Sequence, residues 1–394
     1  MTSIQQRDAQ GVLAGVDELL PKLRDRAQEA ESLRRIPDAS IADLNEVGFF
    51  KLLQPEQWGG LQTDPTLFFE AVRRLASACG STGWVASILG VHNWHLAQFD
   101  QRAQEEVWGD DPTTRISSSY APMGAGVVTD GGYRVSGSWH WSSGCDHATW
   151  TFVGGPVIKD GRPVDFGSFL IPLGDYHIED DWHVVGLKGT GSNTLVVKDV
   201  FVPRHRFLSY GAMNNLTAGG LENNTATVYS MPWGTMHPTT ISTPVVGMAY
   251  GAYQAHVEHQ GKRVRAAFAG EKAKDDPFAK VRIAEAASDI DAAWRQLIGN
   301  VAEEYALLQA GEDIPMELRA RARRDQVRAT GRAISSVDRL FEASGATALN
   351  NDAPIQRFWR DVHAGRVHAA NDPERAYVLY GNHEFGLPLG DTMV

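Results

Sequence analysis

The stretch Gly137-Ser138-Trp139-His140-Trp141-Ser142-Ser143-Gly144-Cys145 gathers aromatic rings and hydroxyls in one short run. Its alternation predicts a strand with Ser138, His140 and Ser142 on one face and Trp139, Trp141 and Ser143 on the other. Large flat rings beside small hydrogen-bonding groups suit a planar ligand with polar edges. The same pattern also describes a core strand that ends in a serine-rich turn. His92 and His95 are three residues apart in a helical pattern and could share a face. No third ligand accompanies them, so no metal site is expected. His256 and His259 repeat that spacing and read as an interface or solvated helix face. Arg321, Arg324, Arg328 and Arg332 form a helical stripe that salt bridges, a phosphate or a neighbouring subunit could use.

Common catalytic signatures are missing. The chain has no Gly-x-Gly-x-x-Gly after a strand, no Walker loop and no Gly-x-Ser-x-Gly elbow. Glu-x-x-His, the di-iron signature of helical bundles, does not occur. Cys79 and Cys145 are the only cysteines, too few for a disulfide framework or a thiolate zinc site. The net charge of -11 argues against nucleic-acid and anionic-membrane partners. No apolar run reaches the ~18 residues of a membrane span, and Met1 to Asp8 holds no apolar signal core, so a cytoplasmic location is expected.

These residues need elements to hold them. Residues 1–112 read as helices: Val12, Leu13, Val16, Leu19 and Leu20 recur at helical spacing, Asp38 and Asp64 sit at helix starts, and Gly80-Ser81-Thr82-Gly83 interrupts a helical run. From residue 113 the period changes to two. Asp130-Gly131 and Asp160-Gly161 mark hairpins, so 113–208 is expected to be a β domain. Residues 209–238 show no period and read as a loop or lid. Residues 239–394 read as a helical bundle with helices at 240–268, 277–309, 315–343, 354–367 and 373–381.

Three stretches resemble the acyl-CoA dehydrogenase superfamily. Gln54-Pro55-Glu56-Gln57-Trp58-Gly59-Gly60 is similar to its Pro-Glu-x-x-Gly-Gly loop. Gly186-Leu187-Lys188-Gly189-Thr190-Gly191-Ser192, followed by Asp199-Val200-Phe201-Val202-Pro203, is similar to the end of its middle domain. Pro354-Ile355-Gln356-Arg357-Phe358-Trp359-Arg360-Asp361 is similar to its late Arg-x-x-Arg-Asp helix. The resemblance implies an α+β fold: an N-terminal helical domain, a middle β-barrel or sandwich domain and a C-terminal four-helix bundle.

The chain departs from the dehydrogenases in two places. Many of them follow the late helix with Ile-Tyr-Glu-Gly, whose Glu is the base; here the segment is Val367-His368-Ala369-Ala370-Asn371-Asp372. Their flavin-side strand carries Thr where this chain has Trp141-Ser142-Ser143-Gly144. This version is similar to the oxygenase components of two-component flavin-dependent aromatic hydroxylases. Along its whole length the chain is similar to members that act on a phenolic seco-steroid during sterol degradation. The alternative is an acyl-CoA dehydrogenase with bound FAD, for which Glu258 would be a base on an earlier helix.

The resemblance implies an enzyme that takes reduced flavin (FMNH2 or FADH2) and O2. By the same resemblance a separate NAD(P)H-dependent flavin reductase would supply the flavin, and the assembly would be a homotetramer. It also implies site roles. Ser143 would accept the flavin N5–H and so oppose loss of the activated oxygen as hydrogen peroxide. His368 would be the base that ionises the phenol. Trp84, Ser118, Ser119, Tyr120, Trp141, Ser142, Arg263, Ala346, Thr347 and Ala369, with Ser143 and His368, would border flavin. His92, Asn93, Trp94 and Tyr120 would line a roomy aromatic substrate pocket.

Overall fold

The computed structural model describes residues 8–265 and 270–390. The last residues of the helix expected at 240–268 therefore lie outside the described residues. Six helices open the chain: α1 (Ala9–Asp25), α2 (Ala27–Leu33), α3 (Asp38–Glu46), α4 (Pro65–Ala78), α5 (Gly80–Leu96) and α6 (Gln101–Trp108). Asp64 caps α4 by accepting the Thr66 N–H at 2.8 Å, and Pro65 occupies the first helical position. The break between α4 and α5 is the single extended residue Cys79. Gly80 to Gly83 form the first turn of α5 instead of interrupting a helix. Their job is close packing: a Cβ at Gly83 would lie 2.4 Å from the Ala76 Cβ, and one at Gly80 2.6 Å from the Met248 Sδ. Every residue of α5 is buried, as expected of a helix without a polar face.

The β domain holds β1 (Ile116–Ser119), β2 (Gly124–Thr129), β3 (Gly132–Ser142), β4 (Trp150–Lys159), β5 (Arg162–Pro172), β6 (His177–Glu179), β7 (Asn193–Pro203) and β8 (Phe207–Ser209). Their order is β6-β7-β3-β2-β4-β5-β8, and β1 lies parallel to β4. Both expected hairpins form, β2–β3 across Asp130-Gly131 and β4–β5 across Asp160-Gly161. The sheet closes on a core of Val135, Trp139, Val153, Phe169 and Leu195.

Residues 209–232 are more ordered than a free lid. They contain α7 (Tyr210–Asn214) and short 3-10 turns, and Val228 and Tyr229 are fully buried. The Trp94 Nε1–H donates to the Val228 carbonyl at 2.8 Å and pins the segment to α5. The long helix α8 (Trp233–Lys262) starts seven residues before the expected position. It does so despite Pro238 and Pro244 in its interior. Pro244 cannot donate to the Thr240 carbonyl; the Ser87 hydroxyl donates to it instead, at 2.8 Å. The remaining helices, α9 (Pro277–Gln309), α10 (Met316–Ser344), α11 (Pro354–Arg366) and α12 (Pro373–Glu384), complete the expected bundle.

Two of the stretches that carry the family resemblance meet. Asp361 on α11 accepts the Leu187 N–H at 2.6 Å, and Arg360 donates to the Val185 carbonyl at 2.7 Å. Glu31 of α2 pairs with Arg357 at 3.1 Å and Arg360 at 2.7 Å. This knot fixes the β domain against helices from both ends of the chain.

Candidate active site

The site is built where β3 ends. A bulge between Trp139 and Ser142 breaks the expected alternation. Trp139 is fully buried, whereas Trp141 is 58% exposed, with φ at +68°. A bulky residue seldom adopts that conformation, and here it turns the indole outward. The bulge also sends Ser142 inward, where its hydroxyl is buried without a partner among the described residues. Ser143 follows in the turn. Its Oγ accepts the Trp84 Nε1–H at 3.1 Å and lies 2.8 Å from the Ser192 Oγ.

Opposite stands the turn after α11. Trp84 lies edge-on to His368 with ring centroids 6.1 Å apart, and His237 lies 6.0 Å from His368. The Ala370 N–H donates to His368 Nδ1 at 3.1 Å. That bond places the proton of the neutral ring on Nε2. His368 therefore offers an N–H, which departs from the base expected there. Burial, and then the Arg323 charge, pull its pKa down to about 4. Asn371 holds the turn: its Oδ1 accepts from Ser242 at 2.9 Å, Gln326 at 2.8 Å and Thr330 at 3.2 Å, and its Nδ2 donates to the Gly365 carbonyl at 2.8 Å.

His92 has the opposite polarity. Its Nδ1 hydrogen-bonds the Ile116 carbonyl, which can only accept, so Nδ1 carries the proton. Nε2 is then a bare lone pair, buried and without a protein partner among the described residues. Burial lowers this imidazole to about 4, against the opposing Ile116 bond. Tyr120 lies edge-on to His92 at 6.0 Å and bonds His95 Nδ1 through its hydroxyl at 2.7 Å. Trp233 stacks on His237 at 4.6 Å and meets Tyr120 edge-on at 5.0 Å. Burial drives His95 and His237 well below the ordinary histidine value and Tyr120 well above the ordinary tyrosine value. All these groups are neutral near pH 7. No carboxylate acts on any of the four imidazoles.

Not every expected residue joins this cluster. Trp84, Tyr120, Ser143, His92 and His368 are linked by the contacts above, and Ser142 precedes Ser143. Trp141 stands exposed at the bulge of β3 and Ala369 exposed in the turn after α11, and Ser118 is a buried residue of β1, two positions before Tyr120. Other side chains are spent on structure: Ser119 donates to the His140 carbonyl, Asn93 to the Phe50 carbonyl and Trp94 to the Val228 carbonyl. Arg263, Ala346 and Thr347 lie at the far end of α8. There Arg263 donates to the Ala343 carbonyl at 2.9 Å, and Thr347 reaches His259 at 3.4 Å. From His237 to Arg263 the helix advances about 39 Å at 1.5 Å per residue. His95, Trp233 and His237 are additions. His95 carried a signal in its spacing from His92, and Trp233 and His237 are four residues apart, a spacing visible only once α8 is known to begin at Trp233.

The acyl-CoA dehydrogenase N-terminal domain model matches residues 14–110, and the C-terminal domain model matches residues 239–373. The chain is 83% identical over its full length to the flavin-dependent monooxygenase, oxygenase subunit HsaA, of Mycobacterium tuberculosis, and covers all of that protein. The chain belongs to this family of flavin-dependent monooxygenase oxygenase subunits. The Rhodococcus jostii relative is 78% identical, over 96% of this chain and 99% of its own. The crystal structure of 3-HSA hydroxylase from Rhodococcus sp. RHA1 superposes with a TM-score of 0.94 at 74% identity, covering 98% of this chain and 99% of that one.

As a flavin-dependent monooxygenase oxygenase subunit, the protein uses reduced flavin and O2 and depends on a separate flavin reductase. The dehydrogenase alternative is not favoured. Glu258, its candidate base, is mostly exposed and paired with Lys262 at 2.7 Å. The residues present suit a flavin ring: an outward indole at Trp141, an unpaired buried hydroxyl at Ser142 and a hydroxyl at Ser143 sit together at the end of β3. Among the described residues no helix is long and apolar enough to cross a membrane, and no His/Cys/Asp/Glu group could hold a metal ion.

Proposed function

We propose that this subunit ortho-hydroxylates a phenolic seco-steroid, 3-hydroxy-9,10-secoandrosta-1,3,5(10)-triene-9,17-dione (3-HSA), to its 3,4-catechol. The observation that carries this reading is the opposed polarity of His92 and His368, two imidazoles of one buried aromatic cluster on which no carboxylate acts. The name of the Rhodococcus hydroxylase supports the choice of substrate. A phenol with pKa about 10 is only about 0.1% ionised at pH 7. His92 Nε2 accepts the phenol proton, and the His368 N–H donates to the oxygen as it gains charge. Trp233, Tyr120, Phe152 and His95 give the hydrocarbon rings an apolar wall. Reduced flavin with O2 supplies the oxygen atom. When flavin is bound, Ser143 would accept its N5–H and Trp141 would cover the ring, while Trp84 holds Ser143 in place.

The distance along α8 supports a second element of this reading. One flavin cannot span about 39 Å from the His237 end to Arg263. Arg263, Ala346 and Thr347 therefore serve a flavin held mainly by another copy of the chain, in a homotetramer. The test of the whole reading loads the protein anaerobically with FMNH2 or FADH2, mixes it rapidly with O2 and 3-HSA, and identifies the product. A 3,4-catechol formed in near-stoichiometric amount is expected. Hydrogen peroxide without catechol, from properly folded tetramer, would refute the substrate. Sedimentation of a monomer that still binds flavin tightly would refute the shared site.

A further inference from the structure

Behind Ser143 runs a chain of buried hydroxyls that neither the fold nor the reaction above has used. Ser143 Oγ lies 2.8 Å from Ser192 Oγ, Ser192 Oγ lies 2.6 Å from Thr190 Oγ1, and Thr190 Oγ1 lies 2.8 Å from the Leu187 carbonyl oxygen. All three hydroxyl residues are buried. Each hydroxyl has one hydrogen and two lone pairs. The Leu187 carbonyl, which also takes the Trp182 indole N–H at 3.0 Å, can only accept. One direction gives every hydroxyl hydrogen an acceptor inside the protein: Ser143 to Ser192, Ser192 to Thr190, Thr190 to Leu187. In that direction Ser143 has spent its hydrogen and has given one lone pair to the Trp84 N–H at 3.1 Å. A single lone pair is left for the ligand. The reverse direction frees the Ser143 hydrogen from the relay and offers it to the ligand.

We propose that Thr190 and Ser192 are positioning residues that fix Ser143 as a pure acceptor and so make the site select reduced over oxidised flavin. This rests on the reading above in which Ser143 meets flavin N5. Reduced flavin carries a hydrogen on N5 and donates; oxidised flavin has a bare N5 and accepts. An acceptor-only Ser143 bonds the first and faces the second lone pair to lone pair. An oxygenase fed by a separate reductase gains from this: it takes up the reduced cofactor and releases the oxidised one. Gly191 sits inside the relay with φ at +53°, a left-handed turn that brings the Thr190 and Ser192 hydroxyls to the same side.

Substitutions that break the relay without emptying its space test the idea. In Thr190→Val the Ser192 hydrogen loses its acceptor and turns to Ser143, whose own hydrogen is then free for the ligand. Ser192→Ala has the same outcome by removing the middle link, and Thr190→Ser restores the relay. Equilibrium dissociation constants for oxidised and anaerobically reduced flavin are measured on each intact protein, with Ser143→Ala as reference. The oxidised-to-reduced ratio of constants should fall about tenfold in Thr190→Val and Ser192→Ala, one hydrogen bond's worth, and stay near wild type in Thr190→Ser. An unchanged ratio in Thr190→Val and Ser192→Ala, with a shifted ratio in Ser143→Ala, overturns the relay and leaves the Ser143 reading standing. An unchanged ratio in all of them, Ser143→Ala included, removes Ser143 from N5 and both ideas with it. Should Thr190→Val fail to fold, Ser192→Ala decides alone.

Discussion

Replacing His92 by Asn separates the two imidazoles of the site. The Asn amide can still donate to the Ile116 carbonyl, so β1 keeps its tie to α5, but it has no basic lone pair. At pH 7 the loss of a positioned base should slow hydroxylation by about 10²- to 10³-fold. The phenol then has to ionise unaided. Its anionic fraction rises from about 0.1% at pH 7 to about 10% at pH 9. The variant should therefore recover about a hundredfold over those two units, while the wild type stays flat. The wild type is flat because His92, held to about 4 by burial, is already unprotonated throughout the range. In the substrate-free protein so low a value describes a weak base; a phenolate formed beside it returns part of the shift, because a nearby opposite charge favours the charged form. His368→Ala removes an N–H donor instead, so its deficit should not depend on pH. The assay is a single turnover of anaerobically loaded enzyme mixed with O2 and 3-HSA from pH 6.5 to 9.5, with catechol and hydrogen peroxide quantified separately. Recovery at high pH in His368→Ala and none in His92→Asn would show that the polarity argument is reversed.

Further outcomes follow from other parts of the structure. Ser143→Ala should keep the fold but divert turnover to hydrogen peroxide, since losing a bond worth about 1–3 kcal/mol shifts competing rates by about one to two decades; coupling near wild type rules out its N5 role. Asn371→Leu removes four hydrogen bonds from a fully buried hub and should cost about 3–5 kcal/mol of stability, with Asn371→Asp losing less because its oxygens still accept; equal denaturation midpoints for wild type and Asn371→Leu would contradict this. Acid should destabilise the protein. His92, His147, His256 and His368 are held to about 4, so between pH 6.5 and 4 the unfolded chain binds protons that the folded one refuses. Asp361 and Glu304, raised to about 7 by burial, act the other way: their contribution is complete near pH 4 and is lost as pH rises to 7. His95 and His237, also held low, add to the four, so six groups against two leave a net loss of at most about 5 kcal/mol per pH unit on acidification. Urea midpoints at pH 7 and pH 5 measure it, and a higher midpoint at pH 5 contradicts it.

The layout was legible where a local signal and the tertiary answer coincide. Asp64-Pro65 caps and opens a helix whatever surrounds it, and Asp130-Gly131 and Asp160-Gly161 turn a strand from local chemistry alone. It was misread where packing overrules local preference. Gly80 and Gly83 look like breakers, yet they exist so that α5 can press on Ala76 and Met248. Pro238 looks like the end of a loop, yet α8 runs through it, and through Pro244 as well, where Ser87, from another helix, donates to the Thr240 carbonyl that the proline leaves free. That single error hid Trp233 and His237, which share a face only on a helix. The site obeys the same rule at finer scale. Residue type nominated Ser143 and His368, but type says nothing of direction. Whether an imidazole gives or takes a proton depends on what its other nitrogen touches, and those partners, the Ile116 carbonyl and the Ala370 N–H, are backbone groups that any sequence supplies. Directionality is therefore the part of this active site written in the fold and not in the residue names. The hydroxyl relay extends the same logic to Ser143, whose acceptor character depends on a threonine two links away.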